Sequence, residues 1–173
     1  MRLVECSLAE HGGAILDILN HAIVSSTALY DYTAREPSSM VEWFEAKRAG
    51  NFPVWGELDE HGTLLGFATY GTFRARPAYK YSVEHSVYVA EAARGRGVGT
   101  RLMRQLIASA ERQQKHTLVG GIDAGNVASV KFHEALGFVH AGTIKEAGFK
   151  FGRWLDLAFY QLRLRTPEHP EDG

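Results

Sequence analysis

The amino-acid sequence predicts a single mixed α/β domain, in which helices cover both faces of a central sheet that includes some antiparallel pairing. The chain has 173 residues, of which 45% are hydrophobic, so it can bury a sizeable core within the usual size of one domain. β-rich runs are followed by alternating strand and helix patterns, and no Pro-rich or Ser-rich linker divides them. We therefore expect one domain over residues 1–165 and a disordered tail over residues 166–173, which carries two prolines and three acidic residues.

The first 37 residues predict a strand, a helix and a loop. Residues 3–6 form a short apolar run, and the apolar side chains of residues 15–23 recur with the period of an amphipathic helix. Residues 25–37 mix polar and aromatic side chains and fit neither period, so we predict a loop there. Such a loop can carry function, or it can be a surface loop that packs its own tyrosines.

A helix and a β-hairpin are predicted between residues 39 and 73. Ser39 and Glu42 have the spacing of a capping box, so we expect a helix to begin there. Two β-rich runs, residues 52–58 and 63–73, are joined by a short polar turn that contains glycine. These two strands should pair antiparallel.

The second half of the chain alternates between the two periodicities. Strands are predicted at residues 81–89, 117–122 and 153–164, and helices at residues 98–114 and 126–136. Strand, helix, strand and helix in this order favour parallel pairing, whereas the earlier hairpin favours antiparallel pairing. The pattern as a whole therefore indicates a mixed sheet.

Composition excludes several classes of partner. The net charge of −1 and the pI near 6.7 give no general attraction to nucleic acid or to anionic lipid. Cys6 is the sole cysteine, which excludes an internal disulfide and a cysteine-based zinc site and fits a reducing compartment. No apolar run has the length of a signal core or of a membrane span. We expect a cytoplasmic protein that binds small molecules and needs no metal.

Residues 94–100, Arg-Gly-Arg-Gly-Val-Gly-Thr, form a glycine-rich turn between a predicted strand and a predicted helix. Glycines at 95, 97 and 99 let a ligand approach the backbone, and the amides that open a helix are unpaired and partly positive. Such a turn binds phosphate. Arg94 and Arg96 add two cationic donors, which suits a pyrophosphate.

Other glycine turns explain this segment less well. A nucleotide-triphosphate loop requires Lys before the Ser or Thr that follows its last glycines, and here Thr100 follows Gly99 directly. A dinucleotide fingerprint has Gly or Ala at its third position, which Thr100 occupies. An ordinary tight turn remains the bland alternative.

The arrangement Arg94-x-x-Gly97-x-Gly99 after a strand resembles the acetyl-coenzyme A motif of the GNAT superfamily of N-acetyltransferases. Residues 126–138 resemble the helix of that superfamily that begins with Asn and ends in Leu-Gly-Phe. Further segments resemble the phosphinothricin and methionine sulfoximine acetyltransferases, and the resemblance covers residues 1 to about 165. These segments are residues 73–74, 83–89 and 152–156.

This resemblance implies a sheet that splays beside the glycine turn, and it implies acetyl-coenzyme A as the co-substrate. The residues that it assigns to the coenzyme are Ser86, Val87, Tyr88, Val89, Arg94, Gly95, Arg96, Gly97, Val98, Gly99, Thr100, Asn126, Ser129 and His133. Asn126 also has the alternative role of a helix N-cap. His133 stands where many members carry a tyrosine, and whether it is a general acid or only binds the coenzyme stays open.

The predicted acceptor site consists of Phe73, Arg74, Glu84 and His85. Glu84 alternates with the core valines of its strand, so it should face the acceptor and take the proton of the amine. It could instead be a solvated residue of the strand. His85 points to the other face, where it relays a proton or simply packs. Arg74 would grip a substrate carboxylate, with a solvated charged turn as the alternative.

The function that follows is an N-acetyltransferase that acetylates the α-amine of an amino-acid-like substrate of the phosphinothricin, methionine sulfoximine or methionine sulfone type, which confers resistance to such compounds. Transfer should be direct in a ternary complex, because the sole thiol belongs to the first strand. The alternatives are another small amine, a protein N-terminus, or a non-catalytic acyl-coenzyme A sensor. A homodimer is expected, with an apolar surface on the final strand, unless that strand is internal to the sheet. The residues of this surface are Trp154, Leu155, Leu157, Phe159 and Tyr160.

Overall fold

A computed structural model describes residues 1–172, and within them the chain forms seven strands and four α-helices. The strands are β1 (Arg2–Glu5), β2 (Val54–Leu58), β3 (Leu64–Thr72), β4 (Ser82–Val89), β5 (Thr117–Asp123), β6 (Val139–Lys150) and β7 (Arg153–Arg163). The helices are α1 (Leu8–Ser25), α2 (Ser39–Ala49), α3 (Val98–Arg112) and α4 (Val127–Ala135).

The strands form one mixed sheet in the order β1-β2-β3-β4-β5-β7-β6. β4 and β5 pair in parallel, and the other neighbours pair antiparallel. Pairing between β4 and β5 extends only to Glu84 and Val119, whereas β4 stays paired with β3 as far as Val89. The sheet therefore splays open after Glu84. Both the mixed fold and its splay are confirmed.

Two apolar clusters pack against opposite faces of this sheet. Leu102 and Leu106 of α3 are fully buried with Tyr70 of β3 in one cluster, and Ile15 of α1 is buried with Phe67 of β3 in the other. Because Phe67 and Tyr70 are separated by an odd number of positions along the strand, their side chains lie on opposite faces. Within residues 1–172, no helix combines the length and the hydropathy that crossing a membrane requires.

Cys6 lies in the second of these clusters, directly after β1. Its side chain is buried, and its Sγ would lie only 2.5 Å from a Cβ on Gly56. Burial, together with the charge of Glu5, raises the pKa of the Cys6 thiol to about 12. The thiol is thus a small packing group in the core.

Two local predictions differ from the structure. The capping box is wrong, because Ser38 is the N-cap of α2 and makes no side-chain cap bond, while the hydroxyl of Ser39 donates to the carbonyl of Glu36. β6 was missed altogether. Most of its side chains are exposed, and its pairing with β7 is interrupted twice, so its sequence shows no regular apolar alternation.

The predicted tail begins at Thr166, and its last residue, Gly173, lies outside the described residues. The hydroxyl of Thr166 donates to the carbonyl of Lys115, and Glu171 bonds through its backbone to the hydroxyl of Tyr81. Disorder of this tail stays a prediction.

Candidate functional site

The glycine turn opens onto a cavity of about 520 Å³, which we call the turn cavity. Gly95 and Gly97 have φ angles of 73° and 75°, in the left-handed region that side chains disfavour. Gly97 is the N-cap of α3, and since glycine has no side chain it makes no side-chain cap bond to the first amides of that helix. The other residues that line the cavity come from α1, the loop after it, β4, the segment before the turn, and α4 with its N-cap. They are Ile18, Ala22, Ser26, Ala28, Val87, Tyr88, Val89, Ala93, Asn126, Ala128, Ser129 and Phe132.

Arg101, a residue that sequence analysis missed, fixes this turn from below. Its guanidinium donates to the carboxylate of Glu57 at 2.8 to 3.0 Å and to the carbonyl of Arg96 at 3.1 Å. Glu57 is only 1% exposed, so its charge needs this partner. The signal available in the sequence was Glu57 itself, an acid within an otherwise apolar strand.

The splay of the sheet holds a second cavity of about 320 Å³, which we call the splay cavity. It receives side chains from β4, β5, β7, α4 and the loop after α1. The lining residues are Thr27, Ala28, Leu29, Tyr30, Glu84, His85, Ser86, Val87, Tyr88, Gly120, Gly121, Ile122, Asp123, Asn126, Ser129, His133 and Leu157. Ala28, Val87, Tyr88, Asn126 and Ser129 line both cavities. The two cavities therefore adjoin at the point where the sheet opens.

Glu84 lies at the last position of β4 that pairs with β5, between Gly71 of β3 and Val119 of β5. A Cβ on Gly121 would lie 3.3 Å from its Oε1, so the bare glycine leaves room for the carboxylate. Burial raises the pKa of Glu84, and the charge of Arg74 works against that rise. A raised pKa makes this carboxylate a better proton acceptor at neutral pH than an ordinary glutamate.

His85 and His133 contact each other at the base of the splay, and both are buried. Their Nε2 atoms are 2.9 Å apart. The Nδ1 of His85 lies 2.9 Å from the carbonyl oxygen of Val119, and the Nδ1 of His133 lies 2.7 Å from that of Ser129. A Cβ on Gly120 would lie 2.6 Å from the ring of His85, so the ring occupies the space between the separated strands.

The three contacts of this histidine pair require three protons. A carbonyl oxygen only accepts, so each Nδ1 is satisfied as an N–H donor, and the contact between the Nε2 atoms needs one proton more. Two neutral rings carry only two N–H protons, so a third proton would make one ring positively charged. Burial opposes this charge: it lowers the pKa of His133 and, together with the nearby His133, lowers the pKa of His85 to about 3. Each ring nitrogen of the pair faces a partner atom within the protein, so a ligand reaches His133 only by displacing one of these contacts.

Asp123, also missed from the sequence, ties the loop after α1 to the end of β5. The hydroxyl of Thr27 donates to its Oδ2 at 2.6 Å, and the guanidinium of Arg153 donates to the same oxygen at 3.1 Å. Burial would raise the pKa of Asp123, but the bonds from Thr27, Gly125 and Arg153 hold it below its ordinary value. The carboxylate is therefore an anchor for the wall of the splay cavity.

Asn126 and Arg74 illustrate the difference between the predicted roles and the observed contacts. The side chain of Asn126 accepts from the amide of Ser129 at 3.1 Å, which is the N-cap role, and it also lines both cavities. Arg74 lies 5.5 Å from the ring of Phe73 and lines a separate cavity of about 300 Å³, because β3 ends at Thr72. Phe73 and Arg74 thus lie outside the lining of the splay cavity, although the charge of Arg74 acts on Glu84.

The final strand is partly internal. Leu155 and Tyr160 are buried within the sheet, as the alternative interpretation required, whereas Trp154 is 59% exposed. The ring of Trp154 lies 5.1 Å from that of Phe149, and Phe151 is exposed nearby in the same hairpin. The exposed apolar surface therefore belongs to the turn between β6 and β7 rather than to the whole of β7.

The sequence and the fold are similar to those of known acetyltransferases. The model of the acetyltransferase (GNAT) family matches residues 17–138. An L-methionine sulfoximine/L-methionine sulfone acetyltransferase of Salmonella typhimurium is 39% identical over 158 residues, which cover 91% of this chain and 92% of that protein. Two solved structures are also similar: one from Acinetobacter baylyi (TM-score 0.98, 57% identity, covering 99% of this chain and 96% of that chain) and a phosphinothricin acetyltransferase from Sinorhizobium meliloti in complex with acetyl-coenzyme A (TM-score 0.93, 31% identity, covering 99% and 92%).

Proposed function

The chain belongs to the GNAT family of acetyltransferases and is an N-acetyltransferase, and we propose that it transfers the acetyl group of acetyl-coenzyme A to the α-amine of a small amino acid such as methionine sulfoximine, methionine sulfone or phosphinothricin. The observation that carries this proposal is the pair of adjoining cavities. One is bounded by a bare glycine turn, and the other holds a carboxylate whose pKa is raised by burial.

We assign the coenzyme to the turn cavity. The φ angles of Gly95 and Gly97 and the uncapped amides at the start of α3 suit a pyrophosphate, and Arg94 adds a charge at the same edge. Gly99 packs against Phe132, where a Cβ would lie 3.3 Å from the ring, so its lack of a side chain serves packing as well. β4 beyond Glu84 has lost its pairing with β5, which leaves backbone groups of residues 86–89 for the pantetheine arm.

We assign the amino acid to the splay cavity. Its amine nitrogen forms a bond to the acetyl carbonyl carbon, the carbon–sulfur bond breaks, and the amine gives up a proton while the thiolate takes one up. Glu84 is the proposed acceptor of the amine proton, directly or through water. The His85–His133 pair is the proposed source of the proton for the thiolate, because both rings line the splay cavity and an imidazole N–H can donate a proton.

Arg74 remains our candidate for the substrate carboxylate. Its charge already acts on Glu84 across the end of the β3–β4 pair, and its guanidinium is exposed. Binding there requires the side chain to turn from its contact with Phe73 toward the splay cavity.

We further propose that the enzyme is a cytoplasmic homodimer that associates through Phe149, Phe151 and Trp154 and that it gives resistance to such amino-acid analogues.

Release of free coenzyme A thiol tests this function. Protein and acetyl-coenzyme A are mixed with methionine sulfoximine, methionine sulfone, phosphinothricin, ordinary amino acids or an alanine-started peptide, and thiol is followed over time. We expect amine-dependent release with the first three compounds. Release with the peptide alone would replace our acceptor by a protein N-terminus, and release with none of them would contradict the proposed acceptor class.

A further inference from the structure

Lys150, the last residue of β6, is a buried cation outside both cavities. Its side chain is 4% exposed. Its ammonium donates to the carbonyl oxygens of Ile23 at 2.6 Å, Ser26 at 2.9 Å and Leu29 at 2.6 Å. An ammonium has three N–H groups, so this set of bonds is complete.

The end of α1 explains why a cation is stable at this place. The last turn of α1 has no basic residue of its own, and its final carbonyls form the negative end of the helix dipole. Within residues 1–172, no carboxylate forms an ion pair with Lys150. Burial lowers the pKa of the Lys150 ammonium, and the negative charge of Asp31 raises it by a smaller amount. The carbonyls of α1 and of the loop that follows therefore replace the water that the cation has lost.

The segment that Lys150 binds is the 26–32 loop, which forms one wall of the splay cavity through Thr27 to Tyr30. Its backbone has no regular secondary structure to hold it. Two weaker supports come from the same hairpin as Lys150: the hydroxyl of Tyr32 donates to the carbonyl of Phe149 at 2.8 Å, and Tyr30 packs on Gly148, where a Cβ would lie 2.8 Å from its ring. Asp123 binds the loop at Thr27 from the side of β5. Lys150 binds two of its carbonyls, those of Ser26 and Leu29, and joins them to the carbonyl of Ile23 at the end of α1.

We propose that Lys150 is a positioning residue of the acceptor site, whose ammonium fixes the 26–32 loop in the shape that the amino-acid substrate requires. It does not touch substrate, since it lines neither cavity. Loss of the ammonium should therefore weaken binding of the amino acid more than binding of the coenzyme, because four residues of the loop line the splay cavity and only Ser26 and Ala28 line the turn cavity. This inference rests on the proposed function for its kinetic consequence and on the described contacts for its structural one.

The variant Lys150→Met tests this role, because it keeps most of the apolar stem and removes all three donors. We expect the KM for methionine sulfoximine to rise at least tenfold and the KM for acetyl-coenzyme A to rise much less. Lys145→Met is the matched control, since Lys145 lies on the same strand with its side chain 76% exposed and bonded to the surface carboxylate of Asp156. It should keep the parent values. An equal rise of both KM values in Lys150→Met, or no rise, would overturn the proposal.

Hydrogen exchange measured by mass spectrometry gives a second readout that needs no substrate. In Lys150→Met the amides of residues 26–32 should exchange faster, while those of residues 94–100 keep the parent rate. Unchanged exchange of the loop in Lys150→Met would overturn the role of Lys150. Failure of the parent to acetylate any amino acid would contradict the proposed function but would leave the role of Lys150 in the loop to be decided by exchange. If Lys150→Met does not fold, Lys150→Gln replaces it, because glutamine keeps two donors on a shorter side chain. Lys150→Gln should show the same changes in KM and in exchange to a smaller degree. Parent values in this variant would contradict the positioning role of Lys150.

Discussion

In the turn cavity, one continuous piece of backbone, residues 93–100, supplies the candidate phosphate-binding groups, whereas in the splay cavity the candidate groups are side chains from elements that are far apart in the sequence. In the first, the ligand-binding groups are amides at a helix start, and side chains matter chiefly by their absence. In the second, a carboxylate, a histidine pair and a loop must all be held in place by other residues. Substitutions should therefore separate the two halves of the reaction: changes at the turn should affect coenzyme binding, and changes at the splay should affect acceptor binding and the chemical step.

Glu84→Gln should give the largest effect on turnover of all the variants described below. It replaces a carboxylate of raised pKa by a neutral side chain of the same shape, so turnover should fall by about 100-fold or more. Calorimetric titration should show the parent affinity for acetyl-coenzyme A. If the variant keeps the turnover and pH profile of the parent, Glu84 is a structural residue and another group accepts the proton.

Arg94→Ala should weaken acetyl-coenzyme A binding without unfolding the protein. A lost bond to a charged group costs roughly 1.5–3 kcal/mol, which is about a tenfold to hundredfold loss of affinity. Arg104→Ala is the control, because Arg104 lies exposed on α3 outside the lining of the turn cavity. If both variants bind the coenzyme like the parent, the positive charge of Arg94 contributes nothing to coenzyme binding.

The histidine pair predicts a pH dependence of stability that the turn does not share. The pKa of His85 falls from an ordinary value of 6.5 to about 3 on folding, so between these values the unfolded chain binds the extra proton and the folded chain does not. The free energy of unfolding should therefore decrease as the pH falls from about 6.5 toward 3, by at least about 1.4 kcal/mol, the equivalent of one pKa unit.

Urea unfolding of the parent and of His85→Gln at pH 7 and pH 5 measures this dependence. The variant should lose part of the decrease, while His61→Gln, which alters an exposed histidine in a turn, should keep it. Identical pH dependence in His85→Gln and the parent would show that the pair keeps its third proton on folding, and direct observation of three imidazole N–H signals by nuclear magnetic resonance would identify that state.

Arg74→Ala should give the smallest effect, because Arg74 is exposed and lies outside the splay cavity. We expect the KM for phosphinothricin to rise by about two- to fivefold, the range of a solvent-screened ion pair. Arg76→Ala, which alters a neighbour lining the same outer cavity, should leave that KM unchanged. Equal activity of the parent on amino-acid amides, which lack the carboxylate, would remove this role from Arg74.

Local signals in the sequence predicted most elements of the fold, whereas contacts between distant residues were not predicted. The glycine turn and α3 were predicted because their signals are local: three glycines, two arginines and a helical apolar period within 20 residues. Glu84 followed from alternation along one strand. Lys150 could not be predicted, because its partners at Ile23 to Leu29 lie more than 120 positions away and a lysine in an irregular edge strand normally faces water.

The same limit applies to the histidine pair. Alternation placed His85 on the core face of β4, but no local pattern relates it to His133, which lies 48 positions later. Their contact depends on how far β5 separates from β4, and this follows from packing of the whole sheet. The roles assigned to individual site residues therefore stay predictions until the variants above are measured.

The buried thiol of Cys6 makes this protein convenient for chemical labelling. Thiol reagents react with the thiolate, and a pKa of about 12 leaves almost none at neutral pH. In the coenzyme A release assay, the native protein should add no signal of its own. A cysteine introduced at Tyr32, which is 73% exposed at the end of the 26–32 loop, would accordingly be the sole reactive site, so that a fluorophore attached there can report the motion of the loop as the amino acid binds.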